Sequence, residues 1–163
     1  MSLTIRRAVR ADAGLIVDFI RRLGAYEKLL HEVEATEADL TASLFAPTPR
    51  VFCEIAEWQG GPAGFALWFY NYSTFLGRHG IYLEDLFVQE RFRGHGLGKS
   101  LLAHLARRCI AEKLGRLEWA VLDWNEPAIR FYERQGAALR KEWIGCRLTG
   151  EPLAALAAGS ADI

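Results

Sequence analysis

The chain has 163 residues, the length of one ordinary domain, with 51% hydrophobic and 25% charged residues, enough apolar material to bury roughly two-thirds of the unfolded surface. Twenty basic and twenty acidic residues cancel, so no global field is present to recruit nucleic acid or an anionic membrane. Apolar runs fall far below the ~18–20 residues of a membrane span, the first residues lack the apolar block of a secretory signal, and three cysteines without C-x-x-C spacing argue against a disulfide framework or a zinc site. A cytoplasmic, metal-free single domain over residues 1–163 is expected. In chain order, residues 3–9 read as a short strand, and Leu15, Ile16, Phe19, Ile20 and Leu23 recur at helical spacing over 11–24. Thr36, followed by Glu37 and Asp39, caps a second short helix that Pro47 and Pro49 stop. VFCEIAEW (51–58) and GFALWFY (64–70), with QGGP between them, read as a hairpin, and IYLEDLFV (81–88) as a third neighbouring strand. Leu101, Leu102, Leu105 and Cys109 form the apolar stripe of a core-packing helix. RLEWAVLD (116–123) is a further strand, Pro127 and Gly136 bracket a helix over about 126–135, and residues 138–149 supply further strand. The pattern predicts a mixed α/β (α+β) fold, a central twisted sheet of six to seven strands flanked by about four helices.

The most informative stretch is QERFRGHGLGKS (89–100), between an apolar strand and a helix. Gly94, Gly96 and Gly98 permit positive φ and bring backbone N–H groups close to a ligand, and the following helix adds its positive dipole end. Arg91, Arg93 and Lys99 add mobile charge. Together these describe a pyrophosphate cradle. Gly98-Lys99-Ser100 ends like a Walker A loop, but the glycine required five positions earlier is Arg93. The dinucleotide fingerprint fails as well, because Lys99 or Leu101 stands where its last glycine belongs. What remains is R-x-x-G-x-G, formed by Arg93, Gly96 and Gly98.

In VLDWNEPAIRFYERQGA (121–137) a helix again begins where a strand ends, and Asn125, Ala128 and Tyr132 share a face at helical spacing. Cys53 and Cys109 read as small core residues, and the four histidines lack the i, i+4 pairing of a helical metal site.

With IYLEDLFV, RGHGLGKS and VLDWNEPAIRFYERQGA in this order and spacing, the chain resembles the diamine acetyltransferases, the spermidine/spermine and thialysine branch of the GNAT N-acetyltransferases. The resemblance implies acetyl-CoA as acetyl donor, paired with the strand backbone at Leu86, Phe87 and Val88. Its pyrophosphate would rest on the loop Arg93, Gly94, His95, Gly96, Leu97, Gly98 and Lys99, and its pantetheine arm would touch Asn125 and Ala128. It implies a small cationic amine, a polyamine or a thialysine-like amino acid, held by Tyr26, Glu27, Glu84, Asp85, Trp119 and Asp123. Glu84 would help deprotonate that amine, directly or through water, and Tyr132, a phenol with an ordinary pKa of about 10, would protonate the departing thiolate. A homodimer is implied too. One departure from the spermidine/spermine branch is the C-terminal strand, where Ile144 and Cys146 replace an acidic residue and a tryptophan.

Glu84 and Asp85 are consecutive, so in a regular strand only one faces the cleft, unless a bulge intervenes. Three other functions fit parts of the pattern: a GNAT enzyme acting on a protein lysine or N-terminus, a non-catalytic acyl-CoA sensor, and a nucleic-acid module using the arginines of 91–108. Zero net charge makes the last the weakest.

Overall fold

The computed structural model describes residues 2–159, and the chain divides into two compact units, Met1–Asn125 and Glu126–Ile163. The first unit holds a five-stranded sheet in chain order: β1 (Leu3–Arg7), β2 (Phe52–Trp58), β3 (Gly61–Ser73), β4 (Arg78–Val88) and β5 (Leu117–Glu118). Pairs from β1 to β4 are antiparallel, while β4 and β5 run parallel. The QGGP turn joins β2 to β3 in two residues, Gln59 and Gly60, with φ of 53° and 83°. Both central residues take positive φ in the hairpin turn whose twist matches its strands.

The sheet is covered on both faces by helices of the first unit. On one face α1 (Ala13–Tyr26) buries Ile16 and Phe19 completely. They join Cys53, Ile55, Phe65, Leu67 and Phe87 in a single apolar cluster, with the rings of Phe19 and Phe65 stacked 5.7 Å apart. The same cluster takes Leu44 from α2 (Glu37–Leu44). That helix starts at Thr36 because Thr36 Oγ1 accepts from the Asp39 amide at 3.2 Å while Asp39 Oδ2 accepts from the Thr36 amide at 2.9 Å. On the other face lies α3 (Leu97–Ala111), whose Leu101, Leu102, Leu105 and Cys109 are buried.

That second face also contains a buried acid. Glu54 of β2 is 2% exposed at its side chain and is held by Arg7 at 3.1 Å, the Trp68 indole N–H at 3.3 Å and His104 at 3.8 Å. Arg7 in turn lies 5.0 Å over the Phe52 ring. Burial lowers the His104 pKa, so the imidazole gives up its proton more readily than a solvated one.

The second unit contains α4 (Glu126–Arg134) and α5 (Gly150–Ala157). Here the sequence reading needs correction. The expected strand over 116–123 is limited to Leu117–Glu118, and residues 138–149 form no strand among the described residues, so the sheet has five strands rather than six or seven. Among the described residues there are five α-helices where about four were expected, the further one being α5. The physical reason is that strand propensity is realised only against a partner: β5 loses its partner after Tyr82–Glu118, and Trp143 and Ile144 are 71% and 86% exposed.

Candidate active site

β4 is paired with β3 along its length, yet it meets β5 only at Ile81–Leu117 and Tyr82–Glu118. Beyond Tyr82 the edge of β4 facing away from β3 has no ladder partner among the described residues. Leu86, Phe87 and Val88 sit on this stretch, opposite Ala66, Phe65 and Gly64. Alternate backbone groups of such an edge suit an extended ligand that adds itself as a strand, although the Val88 carbonyl already accepts from the Arg93 side chain.

The glycine loop lies directly beyond this edge. Gly94 and Gly96 have φ of 81° and 80°, and a Cβ on either would meet nothing within 4 Å, so the space beside both residues is open. Gly96 is the N-cap of α3, and Leu97, Gly98 and Lys99 form its first turn, where the N–H groups have no intrahelical acceptors. Gly98 is therefore helical, and the positive φ expected of it is confined to its two predecessors. Arg93 is held on both sides, donating from Nε to the Val88 carbonyl at 3.1 Å and lying 5.0 Å over the Tyr26 ring. His95 packs 5.3 Å from Trp58 and hydrogen-bonds the backbone of its own loop, so it shapes the cradle.

The carboxylates are brought together by an irregularity in β4. Leu67 of β3 pairs with Asp85 and Trp68 with Leu83, which leaves Glu84 as the extra residue of a bulge. The bulge resolves the question left open by strand alternation. Asp85 shares the α1 face with Leu67, and Glu84 lies exposed beside it. Burial pushes the Asp85 carboxyl up to about 7, with the charges of Glu84 and Glu27 adding to the rise. Glu27 is itself raised by burial at the C-terminal end of α1. Three carboxylates thus share one region, and neither Glu27 nor Asp85 has a salt-bridge partner among the described residues. This is the electrostatic setting for a cation. Asp123 is exposed in the turn before Asn125, apart from the groups that shift Asp85.

Across the open end, the Tyr26 hydroxyl donates to Asn125 Oδ1 at 3.3 Å, and Asn125 is only 7% exposed. Tyr26 also contacts the Trp124 ring at 6.4 Å, and the Lys28 ammonium sits 4.6 Å over that same ring. The residues expected separately at the amine and at the pantetheine arm, Tyr26 and Asn125, are therefore directly bonded. Trp119 follows β5 and is half-buried. In the second unit Ala128 and Tyr132 lie one turn apart on α4, both half-buried. Burial raises the Cys53 thiol far above its ordinary range and raises Cys109 as well, which fits their reading as core residues.

A sequence model described as "Acetyltransferase (GNAT) family" matches residues 18–137. The chain belongs to the GNAT acetyltransferases. Thialysine N-epsilon-acetyltransferase of Bos taurus is 37% identical to it over 164 residues, covering 94% of this chain and 96% of that protein. L-ornithine N5-acetyltransferase NATA1 of Arabidopsis thaliana is 34% identical over 197 residues, covering 93% and 86%. Among solved structures, an integron cassette protein from the mobile metagenome of V. cholerae superposes with a TM-score of 0.79 at 30% identity, covering 96% of this chain and 98% of that one.

The protein is thus an N-acetyltransferase that acts on amines, and its family uses acetyl-CoA as acetyl donor. The residues present fit such a donor, because the space beside Gly94 and Gly96 is open and the edge of β4 beyond Tyr82 has no strand partner among the described residues. No cluster of three or more His, Cys, Asp or Glu able to hold a metal occurs among the described residues. Sequence reasoning missed the elevated Asp85 carboxyl and the stacking of Arg93 on Tyr26. The first could have been suspected from two adjacent acids in an otherwise apolar strand. The second carried no sequence signal.

Proposed function

We propose that this acetyltransferase, acting as one domain over its full length, transfers acetyl directly from acetyl-CoA to a primary amine of a small cationic substrate: a diamine, a polyamine or a thialysine-like amino acid. The observation that supports the reading most is the unpaired edge of β4, which runs from a bulge carrying Glu84 and Asp85 into the glycine loop. The backbone of Leu86, Phe87 and Val88 would hold the pantetheine amides. The amides of 94–99, with Arg93 and Lys99, would hold the diphosphate. Acetyl-CoA supplies the acyl group and a thiolate leaving group. Glu27, Glu84 and Asp85, with Tyr26, Trp119 and Asp123, would receive the cationic amine.

An alkylamine has a pKa near that of lysine, about 10.4, and must lose a proton before it attacks. Glu84, exposed and next to the half-buried Asp85, takes that proton directly or through water. As the N–C bond forms and the C–S bond breaks, Tyr132 gives its phenolic proton to the departing sulfur, the role that the sequence resemblance assigns it. No covalent enzyme intermediate is needed, since binding both reactants together makes the reaction effectively unimolecular.

The reading also includes a homodimer in the cytoplasm, with no nucleic-acid or membrane partner. Light scattering and cell fractionation test these points. The chemistry is tested by thiol release on a panel of free amines against lysine-containing peptides, together with Tyr132→Phe. The expected result is turnover of free amines, and a kcat in the variant lowered by roughly 10–100-fold with donor affinity retained. Turnover of peptides alone, or full kcat in Tyr132→Phe, would overturn the substrate class or the acid role respectively.

A further inference from the structure

At the end of β4 an arginine side chain occupies part of the edge that the acetyl donor would use. The Gln89 amide donates to the Ala63 carbonyl at 2.8 Å, one step past the facing residues Gly64 and Val88. In an antiparallel ladder this makes Gly64 and Val88 a pair that exchanges no hydrogen bonds, so the N–H and C=O of Val88, and those of Leu86 two residues back, point away from β3. They face the edge that has no strand partner among the described residues. One of their acceptors is already engaged, because Arg93 Nε donates to the Val88 carbonyl at 3.1 Å.

Arg93 is placed to change partners. Its backbone is pinned, with the amide donating to the Glu90 carbonyl at 3.1 Å and a His95 ring nitrogen 3.1 Å from its own carbonyl, whereas its side chain is exposed. The guanidinium meets a neutral carbonyl and lies 5.0 Å over the Tyr26 ring, and no carboxylate among the described residues forms an ion pair with it. A diphosphate resting on the amides that begin at Gly94, the next residue, would offer the same guanidinium an anionic, bidentate partner in place of the neutral one. That exchange gives up the contact with Tyr26. Tyr26 belongs to the amine side of the site: its hydroxyl donates to Asn125 Oδ1 at 3.3 Å and its ring lies 6.4 Å from that of Trp124. With Arg93 over it, the ring presents a cationic substrate with a face that another cation already covers.

We propose that Arg93 is a positioning residue with two alternative sets of partners, the Val88 carbonyl and Tyr26 ring on one side and the donor's diphosphate on the other, and that its transfer to the diphosphate clears Tyr26 for the cationic amine. This deepens the proposed function and rests on it, since both sets of partners belong to the site assigned there. The hold of Tyr26 on Arg93 is subtracted from donor binding, because only molecules with the guanidinium released complete the donor site. The two substrates are thereby coupled through one side chain, and the coupling is reciprocal.

Calorimetric titration of CoA, which carries the same diphosphate and has no acetyl group to transfer, tests the exchange in the wild-type protein, in Tyr26→Phe, in Tyr26→Leu, and in both changes combined with Arg93→Ala. Tyr26 is 41% exposed at the last position of α1, so its replacement leaves the core intact. Tyr26→Phe removes the bond to Asn125 and keeps the ring, so the step from Phe to Leu reports the ring alone. With Arg93 present, the Kd for CoA should be roughly 2–5-fold lower in Tyr26→Leu than in Tyr26→Phe, and with Arg93→Ala the two values should be equal. A ring that served only packing would give a higher Kd when removed. A Kd unchanged or raised by the step from Phe to Leu, or a decrease that persists in Arg93→Ala, overturns the exchange while CoA binding by the wild-type protein leaves the donor site standing. Absence of CoA binding by the wild-type protein overturns the donor site and the exchange with it.

Discussion

Glu54 and Asp85 are two acids on opposite faces of one sheet, and the protein treats them in opposite ways. Glu54, on the α3 face, is surrounded by donors: the Arg7 guanidinium, the Trp68 indole and His104. Asp85, on the α1 face, is surrounded by its own kind, with Glu84 and Glu27 as its electrostatic neighbours and burial raising it to about 7. Burial of an acid is thus ambiguous until its partners are known. Where cations supply the compensation from within, the acid is structural; where the compensation is missing, the site is prepared for a cation from outside.

Changes on the two sides should separate accordingly. The largest effect is expected at the bulge: Glu84→Gln should lower kcat/KM at neutral pH by ~10²–10⁴, with recovery as pH rises toward that of the free amine. A pH–rate profile unchanged by the substitution would remove Glu84 as the proton acceptor. On the structural side, Glu54→Ala should cost ~2–3 kcal/mol of stability, because it leaves Arg7 and the Trp68 N–H without their acceptor and opens a hole beneath α3. Chemical denaturation at about pH 5 and about pH 8 should give similar losses, and the surviving folded enzyme should keep its pH–rate profile.

Asp85→Asn should do the reverse. A carboxyl raised from 3.8 to about 7 binds more protons when folded than when unfolded, so its stability contribution is full below about pH 4 and is lost as pH rises through about 7. The amide should therefore stabilise the protein at about pH 8 by ~1–2 kcal/mol, under an upper bound of ~4, and do little at about pH 4, while turnover falls. Equal stability changes at both pH values would mean that Asp85 is not held in its raised state. The smallest effect belongs to Tyr26→Phe, which removes the 3.3 Å bond to Asn125 and keeps the ring under Arg93. About 1 kcal/mol, a few-fold in KM for the amine, is expected in steady-state kinetics.

Much of this was legible in the residues. The Thr36 cap, the QGGP hairpin, the α1 stripe and the glycine cradle are local devices whose chemistry lies within a few positions of one another, and each appears where spacing placed it. The register between β3 and β4 was not legible, since a bulge depends on how two strands settle against each other, and with it went the answer to which of Glu84 and Asp85 faces α1. The same limit explains the shortened β5 and the missing strand over 138–149. Ala-Leu-rich α5 carried its own helix signal, which the sequence reading did not use.

The central claim is that the free edge of β4 and the loop at its end hold the acetyl donor. Amide hydrogen exchange of the intact protein, with and without acetyl-CoA, tests it residue by residue. The account predicts slowed exchange within Leu86–Val88 and across residues 94–99 when the donor is added, with Glu54 and its neighbours on β2 unchanged. Unchanged exchange across both segments at saturating donor, or protection confined to other parts of the chain, would contradict it.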